Sequence, residues 1–269
     1  MNHPMLELPA GAIHLSLDRK GSGRPLLLLH GGAGPDSMRP MFNALNGFEL
    51  ILPTHPGFDA TEHPSWMRTI ADLADCYIEL LNVLKLRDVI VVGNSVGGWI
   101  AAEMAIRQSS AVAGIVLINA VGLKPDDSTG PIMDPRSLPP EELIKFSFAN
   151  PARVPLPSPE AAARRQANQR ELMSYAGEPF MHDPTLAARL SSIAVPSCVL
   201  WGHHDRIVTA AYGRDYARHI SGTLFKLIED AGHLPQVEQP ERTAEAVQDF
   251  CASLAGTVSP AMGHKQPQS

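Results

Sequence analysis

Three residues of this chain have the types that, brought together, make an activated nucleophile: Ser95 in VVGNSVGGW, Asp205 in LWGHHDRIV and His233 in EDAGHLPQV. A serine hydroxyl attacks a carbonyl only when a base takes its proton, and the base needs a third group to hold its tautomer. Gly93 and Gly97 lie two residues either side of Ser95, the G-x-S-x-G spacing of a sharp strand-to-helix turn that lifts the hydroxyl clear of the backbone. Small residues are needed there because strand and helix converge. The N-terminus of the following helix favours the negative charge that develops during attack. By itself the pattern is ambiguous, since glycine-rich turns of this kind also bind phosphates or merely pack. His233 is the candidate base and Asp205 the candidate orienting acid. A second glycine-rich stretch, LLLLHGGAGPD, follows an apolar run. There the backbone amide of Gly32, with Ala33 as its rival, is placed to join the amide of Val96 in holding an oxyanion. The stretch lacks the Lys-Ser/Thr of a phosphate-binding loop and the spacing of a dinucleotide fingerprint.

Other polar residues carry plainer readings. His203 and His204 directly precede Asp205, but adjacent loop side chains seldom converge on one ion and no spaced His, Cys or carboxylate set accompanies them, so no metal is assigned. His30 is expected to hold its own loop by a hydrogen bond, and His55 and Phe58 to belong to a turn. Trp99 is expected in the core. Asp126 and Asp127 are rival acids, set several residues into a turn-rich segment.

The elements that must position these residues alternate. Apolar runs at 25–29, 48–53, 88–93, 113–119, 195–201 and 223–228 read as buried strands, after an opening hairpin of Met5 to Leu8 with Ala12 to Leu17. Between them, residues 69–86 place Ile70, Leu73, Ala74, Tyr77, Ile78, Leu81 and Leu84 on one helical face, and 240–254 do the same with Ala244, Val247, Phe250 and Leu254. Such alternation predicts parallel strands crossed by helices. Ser95, Asp205 and His233 then each follow the carboxyl end of a predicted strand. Residues 124–192 break the rhythm, with helical pieces near 140–149, 158–176 and 184–192 and no strand. They are expected to form a helical cap between two parts of a core at 1–123 and 193–256, with RRQANQR as a solvated helix face. The polar tail at 257–269 is expected to be disordered.

Composition excludes several classes. The 269 residues are 44% hydrophobic with a formal charge of −6, which argues against a disordered chain and against a nucleic-acid partner. The first residues lack the basic flank and apolar core of a secretory signal, and no apolar run approaches the ~20 residues of a spanning helix. No membrane association is expected on that ground, and the three cysteines, Cys76, Cys198 and Cys251, odd in number and far apart, fit reduced thiols and a cytoplasmic location.

HGG at 30–32, HPGF at 55–58, GNSVGGW at 93–99, WGHHD at 201–205 and AGH at 231–233 together resemble the α/β-hydrolase superfamily over nearly the whole chain. The order Ser95, Asp205, His233 matches that superfamily as well. The resemblance implies an α/β fold with a mostly parallel eight-stranded sheet flanked by helices. Its second strand would be antiparallel and a small helical cap would follow the sixth. A Ser95 nucleophile sets the chain apart from the aspartate-dependent members. The activity expected is that of a serine hydrolase opening a carboxylic ester or lactone through an acyl-enzyme, with no cofactor. A rival is hydrolysis of a carbon–carbon bond in a ketone, as in relatives that act on aromatic ring-cleavage products. Against it, Leu234 follows the histidine where those enzymes often carry tryptophan, and HGGAGP sets its proline one position late. It would also need a cap arginine, from Arg164, Arg165 or Arg170, to grip a carboxylate. A ligand-binding protein without chemistry is the third reading, disfavoured by the complete residue set.

Overall fold

Successive side chains along each run point to opposite faces of a sheet, and here both faces are covered. Leu27, Leu29, Val89, Val91, Ile115, Leu117, Val199 and Trp201 enter one buried cluster. Leu26, Leu28, Ile90, Val92, Val116, Ile118, Cys198 and Leu200 enter the other. Each leucine so buried contributes about 1.5–3 kcal/mol against exposure. The computed structural model describes residues 3–134, 138–154 and 157–255; the tail at 257–269 lies outside them.

In chain order the strands are β1 (Met5–Leu8), β2 (Gly11–His14), β3 (Leu17–Gly21), β4 (Arg24–Leu29), β5 (Phe48–Pro53), β6 (Val89–Asn94), β7 (Val112–Ile118), β8 (Ser197–Gly202) and β9 (Leu224–Ile228). The main sheet runs β3-β5-β4-β6-β7-β8-β9, parallel except for β3, which pairs antiparallel with β5 at one edge. The expected eight strands are therefore seven. The missing strand is spent in a separate hairpin of β1 and β2. Leu6 and Ile13 of that hairpin are buried in the cluster that also holds Tyr77 and Leu73, so its apolar side faces a helix instead of extending the sheet. Ala12 to Leu17 is correspondingly not one strand: it breaks after His14, and the chain starts β3 at Leu17.

Helices α1 (Arg39–Ala44), α2 (Ile70–Val83) and α3 (Val96–Ile106) come before or between these strands. Thr69 opens α2 with a reciprocal cap: its hydroxyl accepts from Asp72 N at 3.1 Å, and Asp72 Oδ2 accepts from Thr69 N at 2.9 Å. Of the face predicted for α2, Ile70, Leu73, Ala74, Tyr77 and Leu81 are buried, while Ile78 and Leu84 are half-buried.

After β7, the seventh strand in chain order, the chain leaves the sheet for α4 (Pro140–Ser147), α5 (Pro159–Ala176) and α6 (Leu186–Leu190), then returns for α7 (Ala210–Arg218), α8 (Pro235–Glu238) and α9 (Pro240–Ala255). Polar bonds fasten the excursion. The buried Glu103 carboxylate of α3 takes Arg189 of α6 at 2.7 and 2.9 Å and Arg107 at 2.8 Å. Helix α5 turns a mixed face inward: Leu172, Tyr175 and Ala176 enter the core, and polar residues beside them are bonded to the 55–63 loop. Asn168, 1% exposed, exchanges two hydrogen bonds with Asp59 at 2.8 and 2.9 Å. Glu171 meets His63 at 2.6 Å and the Tyr175 hydroxyl donates to Pro56 O at 3.1 Å. RRQANQR is thus only partly a solvated face: Arg165 and Arg170 are exposed, whereas Asn168 is buried. Among the described residues no helix is long and apolar enough to cross a membrane. All three cysteines are free and buried.

Candidate active site

The residues that could do chemistry gather where the parallel strands end. Ser95 follows β6 directly, Asp205 lies three residues past β8, His233 five past β9, and Gly32 three past β4. Parallel topology puts these carboxyl ends along one edge of the sheet.

Ser95 has φ 55° and ψ −118°, a conformation that costs a non-glycine residue about 1–3 kcal/mol. Its backbone is held by four hydrogen bonds. Ser95 N donates to Ile118 O at 2.9 Å, and Ser95 O accepts from Gly98, Trp99 and Val121 N at 3.0, 3.2 and 3.3 Å. The glycine spacing has its expected cause. A Cβ on Gly93 would lie 2.1 Å from Gly97 O, and one on Gly97 would lie 2.3 Å from Leu29 O. The first turn of α3 leaves the Val96 amide without an intrahelical acceptor. Among the described residues the amides of Gly32 and Ala33 also have no acceptor, so both candidates for the second oxyanion donor stand free.

Asp205 and His233 are joined: His233 Nδ1 donates to Asp205 Oδ2 at 2.8 Å, with the Asp205 side chain 0% and the His233 side chain 11% exposed. The same carboxylate accepts from Ile207 N and Val208 N at 2.7 and 3.1 Å through Oδ1, and from Asn119 Nδ2 at 2.6 Å through Oδ2. This arrangement leaves His233 Nε2 as the free, proton-accepting nitrogen of the neutral ring. Among the described residues the Ser95 hydroxyl has no hydrogen-bond partner, a looseness common before substrate binds. The two loops nevertheless meet beside it, since Asn94 Nδ2 donates to His233 O at 3.1 Å.

Two asparagines escaped the sequence reading of this edge, as did the contact between His30 and His55. Asn119 directly follows β7 at φ 46°, a conformation asparagine tolerates; besides Asp205 it serves Gly202, whose N donates to its Oδ1 at 3.1 Å. Asn94 has the same kind of task between β6 and the histidine loop. Only their positions at strand ends could have signalled this. His30 and His55 support the 30–34 loop from below. His30 Nδ1 donates to Gly31 O at 2.8 Å while its Nε2 accepts from His55 N at 3.0 Å. His55 Nε2 donates to His30 O at 2.7 Å and its Nδ1 faces the Tyr77 hydroxyl. Burial, more than their mutual repulsion, lowers His30 well below the ordinary histidine value, and burial brings His55 down to about 4. Both are neutral struts, as expected of His30. Trp99 is buried in the core.

The rival residues lie elsewhere. Asp126 Oδ1 caps its own turn, accepting from Ser128 and Thr129 N at 2.8 and 3.0 Å. His203 meets the exposed Glu229 at 2.6 Å and stacks on His204. Among the described residues no three His, Cys, Asp or Glu side chains are grouped to hold a metal.

The model of the alpha/beta hydrolase family matches residues 26–246. Lipase 1 of Psychrobacter immobilis is 27% identical, with 87% of this chain and 78% of that protein covered. The 2-hydroxymuconate semialdehyde hydrolase of Pseudomonas sp. (strain CF600) is 25% identical, with 91% and 93% covered. Among solved structures, a thermophilic esterase from Thermogutta terrifontis superposes with a TM-score of 0.77 at 25% identity, covering 94% of this chain and 99% of that one.

Proposed function

This chain belongs to the alpha/beta hydrolase family, and from that premise we propose that it is a serine hydrolase opening carboxylic esters or lactones through an acyl-enzyme on Ser95. The Ser95 hydroxyl attacks the substrate carbonyl as His233 Nε2 takes its proton. Asp205, bonded to Nδ1, keeps the imidazole in that tautomer and stabilises the imidazolium. The amides of Gly32 and Val96 hold the oxyanion, assisted by the N-terminus of α3. Collapse of the tetrahedral intermediate expels the alcohol, which receives the proton from His233. Water, deprotonated by the same imidazole, then releases the acid and restores the serine. No step calls on a cofactor. Residues 124–192 act as the cap over this edge, with the core formed by 1–123 and 193–256.

The observation that carries the proposal is the buried 2.8 Å bond between Asp205 and His233, set at the sheet edge that also bears the strained Ser95 turn. Ester hydrolysis is favoured over carbon–carbon hydrolysis by the cap arginines. Arg164 is engaged by Asp36 at 2.7 Å and lies 3.8 Å from Asp59, and Arg165 and Arg170 are exposed, which leaves none committed to a substrate carboxylate. The carbon–carbon reading keeps the support of the semialdehyde hydrolase relative, which this chain matches nearly end to end. Small esters, lactones or ketones are the partners considered. The three free thiols fit a reducing compartment, and we assign the cytoplasm on that ground.

Stopped-flow mixing with p-nitrophenyl esters of graded chain length tests the reading. A burst equal to the enzyme concentration, absent in Ser95→Ala, supports it. Turnover of a vinylogous diketo acid with no ester burst would move the assignment to carbon–carbon hydrolysis.

A further inference from the structure

The candidate base is held by the inserted segment as much as by the sheet. His233 N donates to Ser147 O at 2.8 Å, at the end of α4. Beside it, a Cβ on Gly232 would lie 2.4 Å from Ser147 O and 2.9 Å from Phe148 Cα, so the two backbones run in contact. The acid loop is stitched to the same stretch: Arg206 N donates to Phe146 O at 3.3 Å and Arg206 Nη1 to Lys145 O at 2.9 Å. Joining the two sides is Glu238, at the end of α8. Its Oε2 accepts from Gly232 N at 2.6 Å, and its Oε1 accepts from Ala149 N at 2.9 Å and Asn150 N at 3.3 Å.

Among the described residues no arginine, lysine or histidine pairs with this carboxylate. Its partners are three backbone N–H groups from two separate segments, one of them adjacent to His233. A carboxylate suits this place because both oxygens accept. A glutamine would have to turn its NH₂ toward one set of donors and lose that side. Bonds from N–H groups to a carboxylate are also about twice as strong as neutral ones.

We propose that Glu238 is a positioning residue, which sets His233 by locking the Gly232–His233 backbone and the 147–150 segment into one unit. The inference rests on the serine-hydrolase reading for its kinetic consequence, though not for its geometric one. On this account the cap is fixed to the base loop at its α4 end, and the joint is the Glu238 carboxylate. Motion of that end would displace His233 relative to Ser95, which belongs to β6 and α3.

The test compares wild type, Glu238→Gln and Glu238→Ala by two readouts. The first is the low-field proton resonance of His233 Nδ1–H, assigned by its loss in His233→Ala, which reports the bond to Asp205 whether or not an ester is turned over. It is expected to weaken or disappear in both Glu238 variants. The second is the ester burst. Its rate constant is expected to fall about ten- to hundredfold in Glu238→Gln while the amplitude, which counts folded enzyme, stays at the wild-type value. A residue that only stabilised the fold would lower the amplitude and leave the rate constant alone, and that result would overturn the proposal. An unchanged resonance in both variants would overturn it too. If wild type turns over no ester at all, the ester reading falls while the resonance still decides the role of Glu238. Should Glu238→Ala not fold, the isosteric glutamine variant carries the comparison.

Discussion

Replacing Asn119 by alanine tests whether the seat of Asp205 is built as described. The side chain donates to Asp205 Oδ2 at 2.6 Å and accepts from Gly202 N at 3.1 Å, and all three residues are buried. A hydrogen bond to a charged group contributes about 1.5–3 kcal/mol, and a buried N–H left without an acceptor costs about 1–3 kcal/mol. Alanine at φ 46° adds about 1 kcal/mol of backbone strain. Together these come to about 5 kcal/mol, a large share of the roughly 5–15 kcal/mol that holds a domain folded. Thermal unfolding should therefore move down by about 10–15 °C. Catalysis should suffer less than it would from loss of the carboxylate, because Ile207 and Val208 N still hold Oδ1. A ten- to hundredfold fall in kcat is expected, against about ten-thousandfold for Asp205→Asn. The assays are a calorimetric scan and ester turnover on the same preparation. A melting temperature within 2–3 °C of wild type, roughly 1 kcal/mol, would refute the reasoning, because two buried bonds would then have been removed at almost no cost.

Three further outcomes are expected. His55 titrates near 6.5 when unfolded and at about 4 when folded. Between those values the unfolded chain binds the extra proton, so stability is full above pH 6.5 and falls by about 3 kcal/mol from this residue as pH drops to 4; urea midpoints across that window, with NMR titration of the ring, check it, and a His55 ring that protonates near pH 6.5 in the folded protein would sink it. Glu103→Ala leaves Arg189 and Arg107 facing a buried site, at a cost of about 3 kcal/mol. This is the low end for a broken buried pair, since the arginines keep Asp183 and Asp75; a loss under about 0.5 kcal/mol in urea melts would show that the α3–α6 tie is idle. Gly97→Ala places a methyl 2.3 Å from Leu29 O and 2.6 Å from His30 O, backbone atoms that cannot swing aside; the turn must shift, and ester turnover should fall at least about a hundredfold, whereas near-normal kcat would mean the close approach is dispensable.

Much of this architecture was legible along the chain because it is encoded locally. Strands buried on both faces read as unbroken apolar runs, and the residues following β6, β8 and β9 could be named because each strand end is marked by its own glycines and polar residues. The glycine at position 93 reports a steric limit within five residues of chain, its Cβ position lying against Gly97 O, so it survives as a pattern, whereas Gly97 is demanded by the distant Leu29 and His30 carbonyls. The hairpin of β1 and β2 was legible as a hairpin, yet its separation from the sheet was not. Which surface an apolar side covers depends on α2, more than fifty residues away. Helix α5 shows the same limit from the polar side: Asn168 and Glu171 look like solvent residues until the 55–63 loop is laid against them.

What only the tertiary structure decided are the contacts that fix the orientation of the candidate triad. Asn119 binds Asp205 across 86 positions, Asn94 binds the His233 carbonyl across 139, and Glu238 holds Ala149 across 89. A residue type can announce that it is able to donate or accept. Its partner is chosen by the parallel crossovers, which bring the ends of β4, β6, β7, β8 and β9 to one edge and bury them together, where an unpaired polar group is too costly to leave.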